Sequence, residues 1–96
     1  MTINFKPYGN YKSENYNAHS MMLIIGKLTL WFSYHTIVAF QEGYEDITVI
    51  QNTWGPTTGK HLNWIDDGNK KGRLIGKDFN TKLEAMLQKH DLVIGK

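Results

Sequence analysis

The sequence predicts an α+β domain, a small antiparallel four-stranded sheet with two helices packed on one face. Three observations predict it. Through the first half, apolar residues alternate with polar ones between turn signals spaced roughly ten residues apart. After Pro56 the apolar period lengthens to that of a helix. The chain has 96 residues, one domain spanning 1–96 on ordinary size grounds, so sheet and helices must share one core.

The first nineteen residues are polar but aromatic: Tyr8, Tyr11 and Tyr16 sit among Asn10, Ser13, Asn15 and Asn17. They read as irregular chain or a short edge strand, with tyrosine rings covering one end of the core. Ser20 to Ile25 is an apolar run closed by the turn signal Gly26-Lys27. Leu28, Leu30 and Phe32 then alternate with Thr29, Trp31 and Ser33, which predicts a strand with the first three residues facing the core. Ile37 to Phe40 is a third run rich in β-formers, and Ile47, Val49 and Gln51 alternate through a fourth. Pro56 breaks strand geometry. Thr57 or Thr58 is the expected N-cap of a helix through Leu62 and Ile65, ended by Asp66-Asp67-Gly68-Asn69. Asp78 is the expected cap of a second helix, whose Phe79, Leu83, Met86 and Leu87 share one face. Leu92-Val93-Ile94 is expected to add a strand or to dock on a neighbouring subunit.

Composition removes several function classes. Without cysteine there is no disulfide scaffold, thiolate metal site or thiol nucleophile. A hydrophobic share of 41% with 12% aromatics is too rich for a disordered chain. No apolar run approaches the ~20 residues of a spanning helix, and the N-terminus lacks the apolar stretch of a signal peptide, so a cytosolic protein with no membrane partner is expected. His19, His35, His61 and His90 are scattered without ligand spacing, so neither metal nor cofactor is expected. Lys70-Lys71-Gly72-Arg73 reads as a solvated basic loop. With Asp66 and Asp67 close by and a net charge of only +2, it makes a poor nucleic-acid footprint.

One segment suggests chemistry: Trp54-Gly55-Pro56-Thr57-Thr58-Gly59-Lys60-His61. A helix start offers backbone N–H groups without helical partners and about half a positive charge. Two threonine hydroxyls, a lysine and a histidine in that turn suit a phosphate, and Trp54 suits a stacked base. The plainer reading is a capped helix with Lys60 and His61 on the surface. The spacing is too short for a phosphate-binding P-loop. A second candidate is the corner Ser33-Tyr34-His35-Thr36, where Tyr34 and Thr36 would meet a base or sugar if the sheet carries that corner to the helix start. Its plainer reading is a turn satisfying its own backbone. His35, His61 and Lys60 also keep open metal-independent phosphodiester cleavage.

Phe32-Ser33-Tyr34-His35-Thr36-Ile37-Val38-Ala39-Phe40 and Asn52-Thr53-Trp54-Gly55-Pro56-Thr57-Thr58-Gly59-Lys60-His61-Leu62-Asn63 together resemble a widespread group of small bacteriophage proteins. These share a Ser-Tyr-x-Thr-x-Val-Ala-Phe/Tyr strand pair and a Trp-x-x-Thr-Thr-Ser/Gly-Lys/Arg-His helix start, over about residues 8 to 66 here. More distantly, the chain resembles anti-CBASS sponges, which trap a cyclic nucleotide alarm signal without cutting it. The resemblance implies a homo-oligomer, dimer or tetramer, in the host bacterial cytoplasm, with sites near subunit interfaces. It implies non-catalytic sequestration of a cyclic dinucleotide such as cyclic GMP–AMP (cGAMP) by Tyr34, Thr36, Trp54, Thr57, Thr58, Lys60 and His61. Gly59 departs from the serine common in the group, and Pro56 from a polar residue. Two alternatives accompany this reading: a phosphodiesterase degrading such a signal, and a protein-binding inhibitor of a host defence enzyme anchored by Trp31 and the N-terminal tyrosines.

Overall fold

The alternation through Leu28–Ser33 and the β-branched run after it build the centre of an antiparallel meander. The computed structural model describes residues 3–9, 19–90 and 92. Strands β1 (Ile3–Pro7), β2 (Ser20–Ile25), β3 (Leu28–Ser33), β4 (Thr36–Glu42) and β5 (Thr48–Val49) lie side by side in chain order. Helix α1 (Pro56–Asp66), a 3-10 turn (Lys70–Gly72) and helix α2 (Gly76–Lys89) follow. Gly26 turns β2 into β3 with φ of +57°, a backbone region that a side chain makes costly. The turn from β3 to β4 uses Tyr34 at φ +58° instead, so an aromatic residue is held in the left-handed region.

Five strands form rather than four. The stretch with the weakest signal supplies the extra edge strand, pairing Ile3 with Ile25 through Pro7 with Met21. All five β1 residues are exposed, so its sequence carries no alternation of burial, and the backbone ladder alone defines it. The last strand is shorter than its pattern. Beyond Val49 the chain pairs with the segment linking the helices: Gln51 N–H donates to Leu74 O and Leu74 N–H to Val49 O, each at 2.8 Å.

Both helices bury residues in one apolar cluster with the sheet, where Phe79 of α2 meets Phe40 of β4 at a ring separation of 5.5 Å. Leu62 and Ile65 enter the cluster from α1, and Leu83 and Leu87 from α2. Two expected caps differ. Gly55, not a threonine, is the N-cap of α1, because Pro56 already has helical φ at the first position; Thr57 and Thr58 lie inside the first turn. In α2 the cap is Ile75, and Asp78 sits in the first turn, where its charge favours the dipole. Trp31 is buried alongside Leu30, although successive strand residues point to opposite faces. The middle of β3 is therefore covered on both sides. That removes Trp31 as an anchor for a partner protein. Tyr11, Tyr16, Val93 and Ile94 lie outside the described residues, whereas Leu92 packs back on the core of its own chain.

Candidate functional site

A register shift shapes the site. Trp31 pairs with Ala39 but Phe32 pairs with Ile37, so Val38 is an extra residue in β4. Such bulges bend a strand and redirect side chains. Val38 is fully buried and lines a pocket of about 140 Å³ with Ser33, Tyr34, Thr36, Trp54 and Thr58. The pocket thus joins the β3–β4 corner to the start of α1. Four of the seven residues singled out in the sequence, Tyr34, Thr36, Trp54 and Thr58, meet there.

Each wall has a local cause. Tyr34 is held at its unusual φ by its own N–H, which donates to His19 O at 2.9 Å, and its ring stacks on His19 with centroids 4.1 Å apart. Asn52 braces the loop carrying Trp54. Its Oδ1 accepts the Trp54 N–H at 2.9 Å, and its Nδ2 donates to Gly55 O at 3.3 Å. This is an asparagine-headed turn, so Trp54 reaches the pocket half exposed yet on a fixed backbone. No acidic residue occupies the first turn of α1, and the helix's first backbone bond is Gly59 N–H to Gly55 O at 3.1 Å. Because Pro56 has no N–H, the donors that this turn presents are those of Thr57 and Thr58.

The remaining residues separate. Thr57 is half-buried in the same turn. Lys60 is exposed further along α1 and borders a different depression with Asn63, Trp64 and Asp67. His61 has no solvent exposure. Its Nδ1 lies 2.8 Å from Ser33 Oγ, which lies 2.9 Å from Thr58 Oγ1, and the Tyr8 ring meets it edge-on at 6.0 Å. With Nδ1 unprotonated, Thr58 donates to Ser33 and Ser33 to His61, a buried chain behind the pocket wall. Tyr8 is fixed in turn by donating its hydroxyl to Phe32 O at 2.7 Å.

The loop read as solvated holds a buried arginine. Arg73 Nε and Nη2 grip Asp66 Oδ2 and Oδ1 at 2.6 and 2.9 Å, and Nη2 also reaches Asn63 Oδ1 at 2.9 Å. Asp66 therefore has a second role beyond ending α1. Nothing in the local spacing distinguishes Arg73 from Lys70 and Lys71, since the partner lies one helix end away. Ser33 and Asn52 were also missed as individual residues. Asn52, two residues before Trp54 and three before Gly55, carries the usual signature of a side chain-headed turn. Among the described residues no group of histidine and acidic side chains could hold a metal, and no helix is long and apolar enough to cross a membrane.

No curated protein and no solved structure matches this chain. A model of a family of unknown function, DUF8033, matches residues 3–81, which takes in the whole sheet, the pocket and the first turns of α2. A match over so much of the chain shows that this protein belongs to that family.

Proposed function

We propose that this protein captures a nucleotide without turning it over, one base entering between Tyr34 and Trp54 and a phosphate resting on the first turn of α1. The observation that carries this reading is the pocket itself. The aromatic rings of Tyr34 and Trp54 and the hydroxyl side chains of Ser33, Thr36 and Thr58 border a space beside an acid-free helix start. Aromatic rings stack on bases whatever their identity, and helix-start amides favour a negative group. Thr57 supplies a hydroxyl and an amide. Lys60 raises the local positive potential from the same helix without lining the pocket.

At about 140 Å³ the pocket is smaller than the ~300–1,000 Å³ usual for whole small molecules. One chain therefore suits one base, and a cyclic dinucleotide calls for two copies facing each other. That requirement fits a homo-oligomeric sponge for a cyclic dinucleotide immune signal, acting in the cytoplasm of a bacterium infected by phage. Cleavage by His35, His61 and Lys60 is disfavoured, since His61 is enclosed and Lys60 borders another depression.

The test is a thermal-shift panel of cyclic and linear nucleotides, followed by denaturation and mass analysis of the released ligand. At one hundred times the dissociation constant the fold should gain ~2.7 kcal/mol, and the ligand should return intact. A ligand returned as linear fragments would make the protein an enzyme. An absence of shift across the panel would end the nucleotide reading.

A further inference from the structure

On the other side of the Asn52 brace lies a cleft of about 390 Å³, lined by Gln51, Asn52, Gly59, Asn63, Lys70 and Arg73. Its volume falls within the range of small-molecule sites. Its lining has no apolar side chain, so an apolar ligand would gain nothing by entering. Gln51 offers a carboxamide donor and acceptor, Asn63 offers its amide N–H groups while its Oδ1 holds Arg73, and two cations border them. Asp66 offsets one positive charge, which leaves the cleft with a net charge of about +1 from Lys70 and Arg73.

The arginine is built in rather than draped over the surface. Its side chain is 4% exposed. Asp66 takes the edge formed by Nε and Nη2, and Asn63 takes the second Nη2 proton. Nη1 makes no hydrogen bond among the described residues, so two donors of a locked guanidinium remain for whatever fills the cleft. A guanidinium whose orientation is already fixed loses little freedom on binding. Gly59 keeps the helix wall open: a Cβ there would stand 3.1 Å from Asn52 Nδ2.

We propose that this cleft is a second ligand site, separate from the Tyr34–Trp54 pocket, that takes the phosphoryl group of a small phosphorylated metabolite. The phosphoryl oxygens engage Arg73 Nη1 and Lys70 Nζ. The amides of Gln51 and Asn63 address hydroxyl or carbonyl groups on the remainder of the ligand. Phosphate suits the pair better than carboxylate, since it carries more oxygens and accepts from two cations on different sides.

The experiment is a titration of the full chain with inorganic phosphate and with ribose 5-phosphate at constant ionic strength, followed by amide NMR. Saturable shifts are expected at Gln51, Asn52, Gly59, Asn63 and Arg73, with ribose 5-phosphate the tighter of the two. Lys70→Ala should weaken binding at least ten-fold, and Gln51→Ala should affect ribose 5-phosphate more than phosphate. Both positions are exposed, so both variants should keep the wild-type spectrum elsewhere. Trp54→Ala should leave these titrations unchanged, and this separates the cleft from the nucleotide pocket. Shifts that never saturate, that centre on Thr57 and Thr58, or that survive Lys70→Ala undiminished would overturn the proposal.

Discussion

The hydroxyl of Ser33 stands between Thr58 Oγ1 and His61 Nδ1 in a part of the molecule closed to water. Removing it takes a hydrogen-bond partner from two buried polar side chains, and a buried polar group left unmatched costs its desolvation. Ser33→Ala is therefore expected to destabilise the fold by about 1–3 kcal/mol, read as a lower urea midpoint with an unchanged slope. A neutral result would mean that water replaces the hydroxyl. Tyr34 divides its contribution differently. Its ring serves the pocket, while its φ of +58° costs the fold about 1–2 kcal/mol relative to ordinary backbone. Asparagine tolerates that backbone region well. Tyr34→Asn should accordingly keep the melting temperature close to wild type while abolishing the nucleotide-induced thermal shift. Loss of both together would assign Tyr34 to the fold alone, through its stack on His19.

Among the elements, β4 and α2 are joined at their ends by charge as well as at their middles by Phe40 and Phe79. Glu42 closes β4 and meets Lys89 Nζ and His90 Nε2, each at 2.7 Å. The hydrogen bond from Lys89, and then that from His90, holds the Glu42 carboxyl below its ordinary value of 4.5. The same contact raises Lys89 above its ordinary 10.5. Folding thus favours charged Glu42. Its contribution is present above the unfolded value and is lost as pH falls through the lowered folded value. For Lys89 the contribution is present below 10.5 and is lost as pH rises through the raised value. Melting curves of wild type and Glu42→Gln should differ at neutral pH, draw together as the pH falls below 4.5, and converge only below the lowered folded value, where both carry a neutral side chain. A gap that persists in acid would show that shape rather than charge matters at this junction. Exposed pairs contribute little, so the gap should also shrink in high salt.

At the scale of the whole molecule, a chain of this length buries roughly two-thirds of its unfolded surface, which leaves a thin private core and apolar groups outside it. Ile3 and Phe5 on the open edge strand, together with Trp54 and Trp64, are about half or more exposed. The proposed capture of a cyclic dinucleotide by pockets of two copies requires self-association. Light scattering should therefore give a dimer or tetramer whose mass is held to lower concentration by a bound cyclic dinucleotide. A monomer at all concentrations, with and without nucleotide, would remove the shared-site form of the proposal and leave the single-base pocket standing.

The order of β2 to β5, the existence of both helices and the face each helix buries were legible in the sequence, because each depends on local periodicity and on turn residues close by. The meeting of Tyr34 and Thr36 with Trp54 and Thr58 was not legible there, since it depends on how two distant segments pack. Three features belonged to the tertiary structure entirely. The extra residue at Val38 appears only once β3 and β4 are aligned. His61 turns inward because Ser33, 28 positions away, offers its Nδ1 a buried partner. Arg73 differs from its basic neighbours because Asp66 and Asn63 wait at the end of α1. A single strand or helix can dictate its own period, but whether a polar side chain faces water or a partner is decided by what the rest of the chain places opposite it.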